Sequence, residues 1–82
     1  MKTKSKHVRD YRAKNGATQY KPSLQMAMAM NGCSEGFCLA CAHVQSGVEP
    51  DAKRYICNAC NALKVYGAEE LVAMGLTFDA EA

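Results

Sequence analysis

Apolar positions are sparse at the start of the chain and denser from the middle onward. Over residues 6–14 the only large apolar side chains are Val8 and Tyr11, three apart and so on one face of a helix. Ser5 stands where an N-cap belongs and Asn15-Gly16 where a left-handed stop belongs, which predicts a short helix over 6–14. Its stripe is narrow, and a helix of this length must dock to persist. Pro22-Ser23 marks a second start. Leu24, Met26, Met28 and Met30 then alternate with Gln25, Ala27 and Ala29 before Asn31-Gly32. Period-2 alternation suits a strand, but Gln and Ala are good helix formers and poor strand formers, so about two turns of helix are expected.

Farther on, the turn-rich Gly47-Val48-Glu49-Pro50-Asp51 precedes the strand-like Arg54-Tyr55-Ile56-Cys57, a pattern that predicts a short β-hairpin. A final helix is expected over 67–74, with Glu69 and Glu70 in the first turn, where the helix dipole favours acids, and Gly75 just past the end. That places Leu71 and Leu76 at the two positions whose side chains meet in a Schellman motif, and Leu71, Met74 and Leu76 are expected to pack on the hairpin. The fold class is therefore small α+β, with short helices before and after a hairpin. Residues 1–35 form an N-terminal segment with one or two short helices, and 36–82 the hairpin and the last helix, as one compact unit.

With 82 residues, no tryptophan, two phenylalanines and four tyrosines, this unit can bury little apolar surface. Five cysteines are the obvious supplement. No run of 7 to 15 apolar residues follows the lysine-rich start, so a secretory leader is not indicated and reduced thiols in a cytoplasmic setting are expected. An odd cysteine count also favours metal over complete disulfide pairing. Cys38-Leu39-Ala40-Cys41 and Cys57-Asn58-Ala59-Cys60 are two C-x2-C pairs separated by 15 residues, the spacing of a four-cysteine zinc site. Two residues between thiols let both sulfurs turn toward one point, and two such knuckles complete a tetrahedron. One zinc ion on Cys38, Cys41, Cys57 and Cys60 is expected, with a role in folding, because four thiolates leave no coordination position for water or substrate. Cys33 and His43 lie near enough in sequence to substitute as ligands. Cys33, Cys38 and Cys41 also have the C-x4-C-x2-C spacing of plant-type ferredoxins, which keeps an iron–sulfur electron carrier as a lesser alternative.

Net charge is only +2, but the signs are segregated. Residues 1–24 carry Lys2, Lys4, Lys6, Arg9, Arg12, Lys14 and Lys21 against the single acid Asp10, a balance of +6, and the remainder sums to −4. A basic arm on an acidic body suggests a polyanionic partner. Lys4, Lys6, Arg9, Arg12, Lys14 and Lys21, interleaved with Tyr11 and Tyr20, are candidate nucleic-acid contacts through phosphate binding and base stacking. Leu24, Met26, Met28 and Met30 are the alternative, an adaptable apolar surface for a protein partner. No spacing pairs a nucleophile with a base or builds a phosphate cradle, so neither an enzyme nor a small-molecule substrate is expected. No apolar run reaches the ~20 residues that span a bilayer.

Gly47-Val48-Glu49-Pro50-Asp51-Ala52, then Tyr55-x-Cys57-x-x-Cys60, then Val65-Tyr66-Gly67-Ala68-Glu69-Glu70-Leu71 with Met74-Gly75, resembles a family of small phage and prophage zinc-ribbon proteins of uncharacterised function. The match spans about residues 38–75. It implies a zinc ribbon followed by a helix, with Cys38, Cys41, Cys57 and Cys60 at the ligand positions, and it transfers no activity. Members of that family often carry glycine directly after each knuckle, where this chain has Ala42 and Asn61. Asparagine tolerates the left-handed conformation and alanine does so poorly, so a distorted first knuckle is expected. The reading at this level is a regulatory nucleic-acid-binding module, or else a factor that binds a host protein or a phage assembly component in the host cytoplasm.

Overall fold

A computed structural model describes residues 7–79. The chain begins with an antiparallel ribbon of β1, Val8–Arg12, and β2, Thr18–Pro22, in which Arg9 lies opposite Lys21 and Tyr11 opposite Gln19. Where a helix is expected over 6–14, Val8–Arg12 is thus a strand and the following residues lead into its turn. Asn15-Gly16 does adopt the left-handed bend, with Gly16 at φ +89, but it closes a hairpin instead of ending a helix. The Asn15 side chain holds the turn by accepting from the Ala17 N–H at 3.0 Å. A nine-residue helix with two apolar side chains has little to stabilise it, whereas the ribbon gains a ladder and packs Val8 and Tyr20 against the core.

Helix α1, Leu24–Gly32, starts where Pro22-Ser23 predicts, because the Ser23 hydroxyl accepts from the Met26 N–H at 2.9 Å. Helical geometry spreads the alternating methionines around the axis: Met30 is buried, Met26 half-buried and Met28 exposed. Four further strands follow, β3 (Glu35–Cys38), β4 (Val44–Ser46), β5 (Tyr55–Ile56) and β6 (Leu63–Gly67), in one antiparallel sheet of order β4-β3-β6-β5. The sequence pattern predicts one hairpin between the cysteine pairs. Instead each C-x2-C sits at the turn of its own hairpin, β3–β4 or β5–β6, and residues 47–54 connect the two.

The last helix, α2, is Ala68–Ala73. It ends in the expected Schellman motif: the Gly75 N–H donates to Val72 O, the Leu76 N–H donates to Leu71 O, and Gly75 has φ +73. Leu71 is fully buried and Leu76 packs against the same cluster, but Met74 is 39% exposed and does not join them. The sheet separates two cores. Phe37, Leu39, Ala27, Met30, Ala68 and Leu71 fill the space under the helices, and Cys38, Cys57, Val48, Ala52 and Val65 fill the other face.

Candidate metal centre

The two knuckles repeat the same backbone construction nineteen positions apart. In the first, the Cys38 N–H donates to His43 O and the Ala42 N–H donates back to Cys38 O; in the second, Cys57 and Ala62, then Asn61 and Cys57, do the same, all at 2.8 to 2.9 Å. Each bend also turns an amide toward the first sulfur, Ala40 N–H to Cys38 Sγ at 3.4 Å and Ala59 N–H to Cys57 Sγ at 3.3 Å. The residue after each knuckle is left-handed, Ala42 at φ +68 and Asn61 at φ +64. The first knuckle is therefore undistorted, and Ala42 carries the steric strain that glycine would avoid.

This construction brings the four sulfurs of Cys38, Cys41, Cys57 and Cys60 within 4.8 Å of one another. Cys38 Sγ lies 3.7 Å from Cys60 Sγ, and Cys41 Sγ lies 3.6 Å from Cys57 Sγ. Both separations are far beyond a disulfide bond. They match the edge, about 3.8 Å, of a tetrahedron whose metal–sulfur bonds are about 2.3 Å. The donor set and its spacing fit a metal ion without rearrangement. Cys38 and Cys57 are buried and Cys41 and Cys60 exposed, so the site is solid on its inner side and open to solvent on its outer side.

The thiols are not equivalent. Burial pushes Cys38 up to about 12 and also raises Cys41. Cys57 is buried too, and that burial opposes ionisation, but the N–H groups of Cys60 and Ala59 and the thiols of Cys41 and Cys38 bring it down to about 6. One thiolate is thus prepared before any cation arrives, and the cation's own charge favours ionisation of Cys38 and Cys41.

Neither suggested substitute enters the cluster. Cys33 caps the C-terminal end of α1 and is exposed. His43 serves through its backbone, its carbonyl holding Cys38 and its N–H directed at Cys41. The ferredoxin-like set built on Cys33 is therefore not the set that the fold gathers.

Of the candidate nucleic-acid contacts, Lys4 and Lys6 lie outside the described residues. Arg9, Arg12 and Lys14 are exposed on the β1–β2 hairpin, and Lys21 is half-buried opposite Arg9. The Arg9 guanidinium stands 4.2 Å above the Phe78 ring and the Lys21 ammonium 5.4 Å above the Tyr11 ring. Burial and the neighbouring Tyr66 push the Tyr11 hydroxyl up. The hairpin is joined to the metal site through backbone: the Tyr20 N–H donates to Leu39 O at 2.8 Å, and the Leu39 N–H donates to Lys64 O at 3.0 Å. Among the four residues of the alternative apolar surface, Leu24 and Met28 are exposed, Met26 is half-buried, and Met30 belongs to the core.

Sequence reasoning missed Gln45. Its side-chain amide, on β4, donates to Ile56 O at 3.2 Å and accepts from the Asn58 N–H at 3.0 Å. Nothing in the local sequence signals this, because the contact joins the two edges of the sheet. No protein-family model, no curated protein and no solved structure matches the chain. Among the described residues, no helix is long and apolar enough to cross a membrane.

Proposed function

We propose that this chain is a zinc-ribbon nucleic-acid-binding module of the small phage and prophage type, in which one structural zinc ion on Cys38, Cys41, Cys57 and Cys60 fixes a platform for the basic hairpin. Four thiolates in a tetrahedral arrangement suit zinc. A structural zinc contributes roughly 10 to 16 kcal/mol to folding at neutral pH, a large addition to the burial in two small cores. The closed coordination shell supports a role in shape, not in chemistry.

One observation carries the nucleic-acid reading. Arg9, Arg12, Lys14 and Lys21, with Asp10 as the only acid among them, are held on a two-stranded ribbon that hydrogen-bonds directly to the first knuckle. Such a ribbon fits a major groove, and its cations can neutralise phosphates. The test is the dependence of affinity on salt, measured on metal-loaded protein. Four phosphate contacts give a slope of log K against log salt of roughly −3.6, and Arg12→Ser with Lys14→Ser reduces its magnitude by about 1.8 with metal content unchanged. A flat response to salt would remove this reading.

A second reading, a protein-interaction factor for a host or phage component, is favoured by the exposure of Leu24 and Met28 on α1. Loss of a co-purifying protein on Met28→Ser, with metal content and the salt slope retained, would favour it over the first.

A further inference from the structure

The cations of the first ribbon are not equivalent. Opposed residues of an antiparallel pair share a face, so Arg9 and Lys21 lie on the face away from Val8 and Tyr20, the two residues that pack against the core. Asp10 and Arg12 are on the same face as Val8 and Tyr20, and Lys14 is in the turn. Arg9 is exposed, yet its guanidinium is held 4.2 Å from the centroid of the Phe78 ring. Among the described residues no hydrogen bond or ion pair engages that guanidinium, whereas Arg12 gives one N–H to Gly16 O at 3.2 Å.

Phe78 is itself fixed. Its carbonyl accepts from the Leu24 N–H at 2.7 Å and its N–H donates to Pro22 O at 3.3 Å, so the segment after α2 is fastened to the end of β2 and the start of α1. A half-buried ring in that place limits the rotamers of Arg9 and leaves its N–H groups unengaged. Part of the side-chain entropy that an exposed arginine loses on binding is thereby lost before the ligand arrives. The two acids beside these residues in sequence do not neutralise the pair: Asp10 is on the opposite face of the ribbon, and the Asp79 carboxylate accepts from the Gln25 amide at 3.0 Å.

We propose that Arg9, positioned by Phe78, is the base-reading residue of the ribbon, and that its ligand is duplex DNA carrying guanine at the contacted base pair. This rests on the nucleic-acid reading given above. A two-stranded ribbon laid in the major groove of DNA turns one face toward the base edges. A planar guanidinium presented there matches the O6 and N7 acceptors of guanine with two N–H donors in a fixed fork, whereas Lys21 offers a compact point charge. The deep, narrow major groove of duplex RNA does not admit side chains to its base edges, which assigns DNA. Where guanine is absent, the Arg9 charge falls to a neighbouring phosphate, as one of the four contacts that set the salt slope.

The test compares a guanine–cytosine DNA duplex with the same duplex made from 7-deazaguanine, which keeps the charge and the stacking but lacks the N7 acceptor. Metal-loaded protein should bind the second about tenfold more weakly. Arg9→Ser should abolish that difference with metal content unchanged. Phe78→Leu should reduce it while the salt slope stays, because the charge remains and only its placement is lost. Lys14→Ser is the contrast: the slope should fall in magnitude by about 0.9 while the tenfold preference survives. Equal binding of the two duplexes, with the salt slope present, overturns the assignment of Arg9 and leaves the nucleic-acid reading standing. A preference that survives Arg9→Ser overturns it as well. A flat response to salt removes both.

Discussion

Gln45 supplies from its side chain, to the Asn58 N–H, the acceptor that Lys64 supplies from its backbone to the Leu39 N–H. Leu39 and Asn58 are the equivalent residues of the two knuckles, and Gln45 and Lys64 are likewise nineteen apart. The first knuckle is held by a neighbouring strand, because β3 pairs with β6. The second lies at the sheet's other edge, where no strand continues, and one long amide side chain bridges the gap by also donating to Ile56 O. Gln45→Ala is expected to cost about 1 kcal/mol. Hydrogen exchange at Asn58 should accelerate while Leu39 keeps its protection. Equal acceleration at both amides would mean that Gln45 supports the whole fold and not the second knuckle alone.

Metal binding should release a number of protons that changes with pH. Above pH 6, Cys57 is already a thiolate in the metal-free fold, whereas Cys38, pushed up to about 12, must lose its proton as metal binds. Below pH 6, Cys57 is protonated as well and the metal must displace one proton more. Calorimetric titration with zinc in buffers of different ionisation enthalpy should therefore count about one more proton at pH 5 than at pH 7.5, and affinity should fall more steeply with acidification below pH 6. A constant count would mean that the knuckles do not hold this geometry without metal.

The left-handed Ala42 is a local cost that the first knuckle tolerates. Its φ of +68 is ordinary for glycine and unfavourable for alanine by roughly 1 to 2 kcal/mol, part of which is offset by the greater unfolded-state entropy of glycine. Ala42→Gly is accordingly expected to raise stability by roughly 0.5 to 1 kcal/mol. Asn61→Gly, where φ is +64, should gain less, because asparagine already tolerates this region. Denaturant midpoints of the metal-loaded proteins give both values.

What could be read from the sequence was the chemistry and the caps. The two C-x2-C pairs, the Ser23 cap and the Gly75 stop are local signals, and each appears in the structure as its residues indicate. The first hairpin was hidden because Asn15-Gly16 serves equally to end a helix or to turn a ribbon, and the choice is made by a contact from outside, Tyr20 to Leu39. The burial of Met30 and the exposure of Met28 were equally hidden, since the positions of α2 and the sheet decide which side of α1 is covered. Gln45 bridges strands at opposite edges of the sheet order, so its role has no sequence pattern at all.

Gly67 shows why two separated segments of the chain go together. It joins β6 to α2, and its φ of −72 is available to any residue, so left-handed geometry does not explain a glycine there. The explanation is contact with the backbone of residues 49–50. A Cβ placed on Gly67 would lie 2.1 Å from Glu49 O and 2.3 Å from Pro50 O. The same approach allows the Gly67 N–H to reach Ala52 O at 3.0 Å and the Glu70 N–H to reach Pro50 O at 3.1 Å. The Glu49-Pro50 turn is thereby fastened to the start of α2, with Lys53 and Glu70 4.0 Å apart beside it. Because the obstructing atoms are backbone, no side-chain rotation can make room for a methyl group. Gly67→Ala must push the 47–54 connection away from α2, breaking two hydrogen bonds and loosening Val48 and Ala52 in the core behind the cysteines. A loss of roughly 3 kcal/mol is expected, within the range of overpacked sites with broken backbone hydrogen bonds. Gly47→Ala is the control. Its added Cβ meets nothing within 4 Å, although its φ of +75 carries a left-handed cost of about 1 to 2 kcal/mol. Equilibrium unfolding of the two metal-loaded variants should rank Gly67→Ala as the more damaging, with faster amide exchange at Glu70. The reverse order would show that the connection can move aside and that the close approach at Gly67 is not what holds the two segments together.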